Sequence, residues 1–165
     1  MQTYTSRNTS INRDKLPAVF RKASFNSRII LDYGCGKYTE HIRQYLLGKY
    51  VYLPFDPYNQ PEDVNKASRF VLSLAMANKD TVDVVCSNVL NVIDDLDTIQ
   101  EIADEIESIT AATGGTGYVT VYEGNRSGIG KRTGADQYQR NEPLRSYLKY
   151  FRNATIKNGM IVIKC

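Results

Sequence analysis

A short apolar run followed by an acid and two glycines constrains this 165-residue chain more than any other segment. Residues 29–31 are all apolar, which suits a strand buried on both faces. Asp32 closes the run, and Gly34 and Gly36 follow just before a helical pattern begins near Tyr38. Glycines let the backbone approach a ligand closely, and a helix N-terminus offers unpaired N–H groups. The segment therefore predicts a nucleotide-type pocket at the edge of a parallel sheet.

The carboxylate of Asp32 distinguishes between two classes of ligand. Dinucleotide-binding folds use a G-x-G-x-x-G turn to hold a pyrophosphate, an anion that a neighbouring carboxylate would repel. Thr39 also stands where that pattern has its third glycine. A carboxylate suits a cationic ligand instead, such as the amino group of the methionine part of S-adenosylmethionine. The alternative interpretation is an aspartate that caps the following helix, because short motifs often occur by chance.

Two further predicted strands end in polar residues that could reach the same ligand. Asp56 follows the second strand, 22 residues after Gly34, where an acid commonly accepts hydrogen bonds from ribose hydroxyls. A turn-forming aspartate before Pro57 is the alternative. Ser87 and Asn88 end the third strand. Because ligands of such sheets bind outside the carboxyl ends of the strands, we expect these side chains to lie together.

Strand and helix patterns alternate along the chain and predict an α/β fold with three layers, a mostly parallel sheet and an antiparallel C-terminal hairpin. One domain over residues 1–165 is expected, with an irregular segment at 1–13. The predicted strands are 28–33, 50–55, 82–86, 118–122, 154–156 and 159–164, and the predicted helices are 14–23, 38–48, 62–77, 97–113 and 142–151. The turn that ends the fourth of these helices is placed at residues 114–117.

Residues 123–141 form a polar, glycine-containing loop that is longer than a connection inside a compact domain needs. We interpret it as a substrate lid, with a merely mobile loop as the alternative. Three residues near the sheet edge are candidate proton acceptors, namely Tyr122, Glu123 and Asp136. The residues that could hold phosphates or stack on a base are Arg126, Lys131, Arg132, Tyr138 and Arg140.

Charge is distributed unevenly although the formal net charge is only +3. Residues 1–31 carry a net +5, residues 32–123 carry −9, and residues 124–165 carry +7. If the two ends lie near each other in the fold, they make one basic region that favours a polyanionic partner such as nucleic acid. Ordinary solvated charge without a partner is the alternative.

Composition also indicates what not to expect. The three cysteines, Cys35, Cys86 and Cys165, are unclustered, so we expect reduced thiols and a cytoplasmic location. With a single histidine and no cysteine pairs, the sequence predicts no metal site. No apolar run approaches a membrane span, and the first residues lack the apolar core of a signal peptide. The oligomeric state is left open.

The first motif resembles motif I of the class I S-adenosylmethionine-dependent methyltransferases, D-x-G-x-G-x-G, with Tyr38 in place of the last glycine. Residues 32–36, Asp56-Pro57, residues 89–94 and residues 134–140 further resemble the methyltransferases associated with DNA phosphorothioation gene clusters. The resemblance extends with gaps from about Thr9 to the C-terminus and implies a Rossmann-like fold with S-adenosylmethionine as cofactor. It leaves the methyl acceptor undefined.

The expected function is methyl transfer from S-adenosylmethionine to a nucleophilic acceptor, nucleic acid or a nucleotide-like molecule. The expected cofactor-binding residues are Asp32, Gly34, Gly36, Asp56, Ser87 and Asn88. Two alternatives stay open: a cofactor-binding module that acts as a partner or regulator without catalysis, and a small-molecule methyltransferase. Tyr38 is the feature on which the first alternative depends, since it indicates either a reshaped methionine pocket or a site without turnover.

Overall fold

A six-stranded sheet forms the centre of the protein in a computed structural model that describes residues 1–7 and 13–165. The strands of the protein are β1 (Ile29–Tyr33), β2 (Val51–Phe55), β3 (Val82–Ser87), β4 (Thr116–Thr120), β5 (Lys131–Gly134), β6 (Gln137–Gln139), β7 (Ala154–Lys157) and β8 (Met160–Lys164). The strand order of the sheet is β2-β1-β3-β4-β8-β7, in which β1 to β4 are parallel and β8 is antiparallel to both of its neighbours. A separate antiparallel hairpin is made by β5 and β6.

Helices connect and cover these strands. The longest has clear boundary signals at both ends: the side chain of Asp95 accepts a hydrogen bond from Thr98 N–H at 2.9 Å, and Gly114 ends the helix with φ +69°. The α-helices are α1 (Val19–Lys22), α2 (Glu40–Leu46), α3 (Glu62–Asn78) and α4 (Leu96–Thr113), and 3₁₀-helices cover Leu90–Val92 and Leu144–Tyr150.

Both faces of the sheet are buried, which makes the fold a three-layer sandwich. Side chains alternate along β1, so that Leu31 and Tyr33 pack into the core under α3 and α4. Ile30 packs on the opposite face with Ile42 and Leu46 of α2. The predicted α/β class, with a mostly parallel sheet and an antiparallel C-terminal hairpin, is confirmed.

Two predicted helices take a different form. The pattern at 14–23 gives only one helical turn, α1, because Pro17 lacks an N–H and disfavours helical backbone in the residue before it. The segment predicted as an α-helix at 142–151 is a 3₁₀-helix. Leu144, Tyr147 and Tyr150 are buried at a spacing of three residues, which matches three residues per turn.

The sheet edge and the long polar loop also differ from the prediction. The fourth parallel strand, β4, covers residues 116–120, so the predicted strand at 118–122 begins two residues too late. The prediction reserved residues 114–117 for the turn after α4, whereas Gly114 alone ends that helix. Gly115 lies against the carbonyl of Val82, where a Cβ would collide with it, and Gly117 is already inside the strand. Residues 123–141 are not one loop, since they contain the β5–β6 hairpin.

At the chain start, residues 1–7 and Arg13 belong to no helix or strand. Residues 8–12, including Thr9, lie outside the described residues. Cys35, Cys86 and Cys165 are free cysteines. Within residues 1–7 and 13–165, no helix combines the length and the apolar character that crossing a membrane requires.

Candidate functional site

The carboxyl ends of β1 and β3 border the main candidate site. After β1, the chain forms β2 on one side of β1 and then crosses over to form β3 on the other side. The direction in which successive strands are added to the sheet therefore reverses at β1. Such a reversal opens a crevice at the carboxyl ends of the strands, where α/β folds bind ligands. A cavity of about 370 Å³ lies there. Of the predicted cofactor-binding residues, those lining it are Gly34, Gly36, Asp56, Ser87 and Asn88.

The glycine turn after β1 requires glycine for two reasons. Gly34 has φ +74° and Gly36 has φ +72°, a backbone region that favours glycine. A Cβ on Gly34 would also collide with the side chain of Val89. The turn is tied to the neighbouring strand, because Gly34 N–H donates to the carbonyl of Phe55 at 2.7 Å. The turn is therefore a rigid wall of the cavity.

Asp56 joins the glycine turn to the loop after β2. Its carboxylate accepts hydrogen bonds from the N–H groups of Gly36 at 3.0 Å, Tyr58 at 2.9 Å and Asn59 at 2.9 Å. The residue is buried, yet it lines the cavity. A carboxylate has room for about four hydrogen bonds, so a ligand hydroxyl would have to share this acceptor with the backbone.

Ser87 and Asn88 leave β3 in a sharp turn at the floor of the cavity. Asn88 has φ +58°, and its N–H donates to the carbonyl of Thr120 at 2.8 Å. The hydroxyl of Thr120 donates to Ser87 Oγ at 3.1 Å. These bonds anchor the turn to β4, so both residues are held in place at the end of the sheet.

Negative charge dominates the walls of the cavity. Its ionisable acids are Asp56, Glu101 and Glu105, and no lysine, arginine or histidine lines it in the part of the chain that the structure describes. Glu105 accepts a hydrogen bond from Tyr33 Oη at 2.5 Å and pairs with Arg69, which lies outside the cavity. The apolar part of the wall comes from Val89, Val92, Ile93 and Ile102. The cavity suits a ligand with a positive charge and an apolar ring.

Two polar atoms at the cavity are buried without a hydrogen-bond partner among residues 1–7 and 13–165. They are Ser6 Oγ and Asn91 Oδ1, and both residues line the cavity. The amide nitrogen of Asn91 donates to Gln139 Oε1 at 3.1 Å, which orients its oxygen. Because unpaired buried acceptors are costly, these two atoms are natural partners for a ligand that donates hydrogen bonds.

Asp32 lies behind the glycine turn and not among the described residues that line the cavity. It accepts a hydrogen bond from Tyr52 Oη at 2.6 Å and is 2 % exposed. Burial, opposed by the Tyr52 hydrogen bond and assisted by the charge of Asp56, raises the pKa of Asp32 to about 7. The predicted contact between Asp32 and a ligand ammonium group stays a prediction, and the partner that the structure gives this carboxylate is the half-buried Tyr52.

Tyr38, at the last glycine position of the motif, also lies outside the set of described lining residues. Its hydroxyl accepts a hydrogen bond from Arg13 Nη2 at 2.6 Å, and the Arg13 guanidinium lies 4.8 Å from its ring centroid. The Arg13 hydrogen bond lowers the pKa of Tyr38. Tyr38 is not among the described residues with positive φ, so this position has no need of glycine.

The chain start crosses the cavity, which the sequence did not predict. Gln2, Thr5 and Ser6 line the cavity. Thr5 N–H donates to Asp136 Oδ1 at 2.9 Å, and the Thr5 hydroxyl bonds to the same carboxylate. Tyr4 stacks on Tyr138 with ring centroids 5.7 Å apart. No motif in residues 1–7 signals this role, because the contacts arise only when the β5–β6 hairpin folds against them.

The three candidate proton acceptors differ in their surroundings. Tyr122 is 63 % exposed and lines the cavity. Glu123 accepts a hydrogen bond from Leu144 N–H at 2.7 Å, which together with Arg126 lowers its pKa. Asp136 holds the chain start, and its bonds from Thr5 lower its pKa. Of the three, only Tyr122 borders the cavity, and the two carboxylates already have partners elsewhere.

The predicted substrate-binding residues are dispersed by the fold. Arg126 pairs with Glu123 at 2.5 Å, and Arg140 pairs with Glu142 at 2.7 Å. Arg132 donates to the carbonyls of the β5–β6 turn. Lys131 is exposed on β5, and Tyr138 stacks on Tyr4, as described above. None of these five residues lines the main cavity, so their predicted contacts with a substrate stay predictions.

Comparison of the chain with protein-family models, with curated proteins and with solved structures finds no match. No group of three or more histidine, cysteine, aspartate or glutamate side chains in residues 1–7 and 13–165 could hold a metal ion. The geometry and charge of the cavity are therefore the basis on which a function can be inferred.

Proposed function

We propose that the chain is an S-adenosylmethionine-dependent methyltransferase. The observation that carries this proposal is a cavity with three carboxylates and no described basic side chain, bordered by a glycine turn at the strand-order reversal. S-adenosylmethionine carries a sulfonium and an ammonium against one carboxylate and is a net cation. A dinucleotide carries an anionic pyrophosphate, which these carboxylates would repel.

The cavity residues match the parts of this ligand. Gly34 and Gly36 would leave room for the methionine part beside the backbone, and Asp56 would accept hydrogen bonds from the ribose hydroxyls. The apolar wall that includes Ile93 and Ile102 would pack on the adenine ring. The unpaired oxygen of Asn91 supports the fit, because the ligand offers ammonium, hydroxyl and amino donors.

The bound cofactor would supply an activated methyl carbon, which an acceptor nucleophile attacks as the carbon–sulfur bond breaks. The chain's own contribution would be alignment of the acceptor by residues that line the cavity, among them Ser87, Asn88 and Tyr122. Glu123 and Asp136 have lowered pKa values and existing partners, so they are weak bases. An acceptor that is already nucleophilic suits this site best.

Nucleic acid or a nucleotide-like molecule is the acceptor class that we propose. The resemblance to methyltransferases of DNA phosphorothioation gene clusters supports it, as does the net +7 of residues 124–165. The engaged state of Glu123 and Asp136 favours a second candidate, a module that binds the cofactor without catalysis.

Transfer of a radiolabelled methyl group from S-adenosylmethionine tests the proposal. The acceptors are duplex DNA, single-stranded DNA, RNA, free nucleotides and a set of small metabolites. We expect label in a nucleic acid or nucleotide, and none with Gly34→Val, because its side chain would collide with Val89 and distort the glycine turn that borders the cavity.

The outcomes separate the candidates. Cofactor binding without transfer to any acceptor would support the non-catalytic module and contradict the proposed enzyme. Label found only in small metabolites would contradict the proposed acceptor class. Equal transfer by Gly34→Val and the wild type would show that the label moves independently of this cavity.

A further inference from the structure

A second groove, of about 560 Å³, lies over β4, β8 and β7. Its apolar floor includes Tyr118, Met160 and Val162, side chains of the core that α1 and α2 also cover. It shares no described lining residue with the main cavity. The groove is therefore a separate surface, on the face of the sheet opposite α3 and α4.

The side chains around this groove carry only positive charge. Its ionisable side chains other than Tyr118 are Lys22, Arg152, Lys157 and Lys164, and all four residues are exposed. No aspartate or glutamate lines it, and none of the four forms an ion pair within the described chain. Amide side chains stand between the cations, from Asn26, Asn153 and Asn158.

The fold produces this surface by joining the two basic ends of the sequence. Lys22 comes from the net +5 segment, and the other three cations come from the net +7 segment. The Met160–Lys164 strand extends about 13 Å at ~3.3 Å per residue. Measured along the helix axis of B-form DNA, that length corresponds to about four phosphates of one strand, at about 3.4 Å of axis each.

A path leads from this groove toward the main cavity. Lys22 Nζ lies 4.0 Å from the position that a Cβ on Gly159, in the β7–β8 turn, would occupy. Gly159 in turn lines a third depression together with Arg126 and Tyr122, and Tyr122 also lines the main cavity. The basic groove, this turn and the cavity mouth thus follow one another on the surface.

We propose that the basic groove binds the phosphate backbone of a nucleic acid. Four unpaired cations in a concave channel suit a linear polyanion, and the asparagine amides can donate to phosphate oxygens. A flat membrane surface would not enter the channel. Backbone binding here stands by itself, whereas presentation of an acceptor base at Tyr122 rests on the proposed methyl transfer.

Fluorescence anisotropy with a labelled 20-base-pair DNA duplex of mixed sequence, and with its single strand, tests this proposal. The test variant combines Lys22→Gln, Lys157→Gln and Lys164→Gln. The control combines Lys15→Gln, Lys49→Gln and Lys66→Gln, exposed lysines outside the three cavities that remove the same net charge. Titrations run from about 50 to 200 mM salt, the range over which phosphate contacts are most visible.

We expect the test variant to bind at least about tenfold more weakly. We also expect its slope of log K against log salt to be shallower by about 2 to 3, since each lost phosphate contact contributes about 0.7 to 0.9. The control should keep most of the affinity. Equal losses in both variants, or no binding of either DNA by the wild type, would overturn the proposal.

Calorimetry with S-adenosylhomocysteine separates this proposal from the preceding one. The test variant should bind this ligand as the wild type does, because the groove and the cavity share no lining residue among those that the structure describes. If the wild type binds DNA through the groove but does not bind S-adenosylhomocysteine, the proposed nucleic-acid groove stands and the proposed cofactor is refuted. The reverse result would refute the groove alone.

Discussion

Asp83→Ala is expected to destabilise the fold by about 3–5 kcal/mol, a large part of a typical domain's stability. Asp83 is fully buried in β3 and accepts three backbone N–H bonds, from Asn26 at 2.8 Å, Ser27 at 3.0 Å and Thr116 at 2.8 Å. Alanine would leave the buried donors of Ser27 and Thr116 unpaired, at about 1–3 kcal/mol each.

Urea unfolding followed by circular dichroism measures this effect. Asp80→Ala is the matched control, because Asp80 is an exposed aspartate just before the same strand, and its loss should cost about 0.5 kcal/mol or less. A loss below about 1 kcal/mol in Asp83→Ala would contradict the structural role assigned to this carboxylate.

The Asp32→Asn variant is expected to gain stability relative to the wild type as the pH rises. The folded-state pKa of about 7 lies above the ordinary value of 3.8, so the folded protein binds the Asp32 proton more tightly than the unfolded chain does. In the wild type, the stability gained from the tighter binding of this proton is complete below about pH 4, declines as the pH rises, and is lost above about pH 7. Asparagine does not titrate and can still accept the Tyr52 hydrogen bond.

The stability of Asp32→Asn relative to the wild type should therefore rise between pH 4 and pH 8, by up to about 4 kcal/mol at 1.36 kcal/mol per pKa unit. Urea unfolding of both proteins across this range measures the difference. Tyr52→Phe removes the hydrogen bond that favours the charged form of Asp32, so the pKa of Asp32 should rise further in this variant. A relative stability that does not change with pH would contradict the burial of an ionisable Asp32.

The sequence predicted the parts of the fold whose apolar patterns are local. The largely apolar strands β1 and β3 are each buried between two layers, and the stripe of α4 includes Ile99, Ile102 and Ile106, all buried. The positions of Gly34 and Asp56 at the cavity followed from the same reasoning, because strand ends on one edge of a parallel sheet meet in space.

Features that depend on distant contacts were not predictable. The β5–β6 hairpin is polar and lacks apolar alternation, and it is held by Asp136 to the chain start and by Gln139 to Asn91. Asp32 has the spacing of a ligand-binding acid, yet Tyr52, 20 residues away, determines where its carboxylate points. The basic groove was not predictable either, because Lys22 is far in sequence from Lys157 and Lys164 and only the fold brings these side chains together.

Titration calorimetry with S-adenosylhomocysteine, the product that would remain after methyl transfer, tests the central claim most directly. We expect one molecule bound per chain with a Kd in the micromolar range, and no detectable binding of NAD⁺. Asp56→Ala should weaken binding at least about tenfold, or about 1.4 kcal/mol, and Asp63→Ala, an exposed acid on α3, should not.

Because Asp56 also holds the glycine turn, Glu101→Gln serves as a second variant that changes the cavity's charge at an exposed position. It should weaken binding of S-adenosylmethionine, a net cation, several-fold and binding of the net-neutral S-adenosylhomocysteine less, without a change in the urea midpoint. Binding of S-adenosylhomocysteine that both cavity variants weaken is the result that our account predicts. No binding by the folded wild type, or tighter binding of NAD⁺, would contradict it.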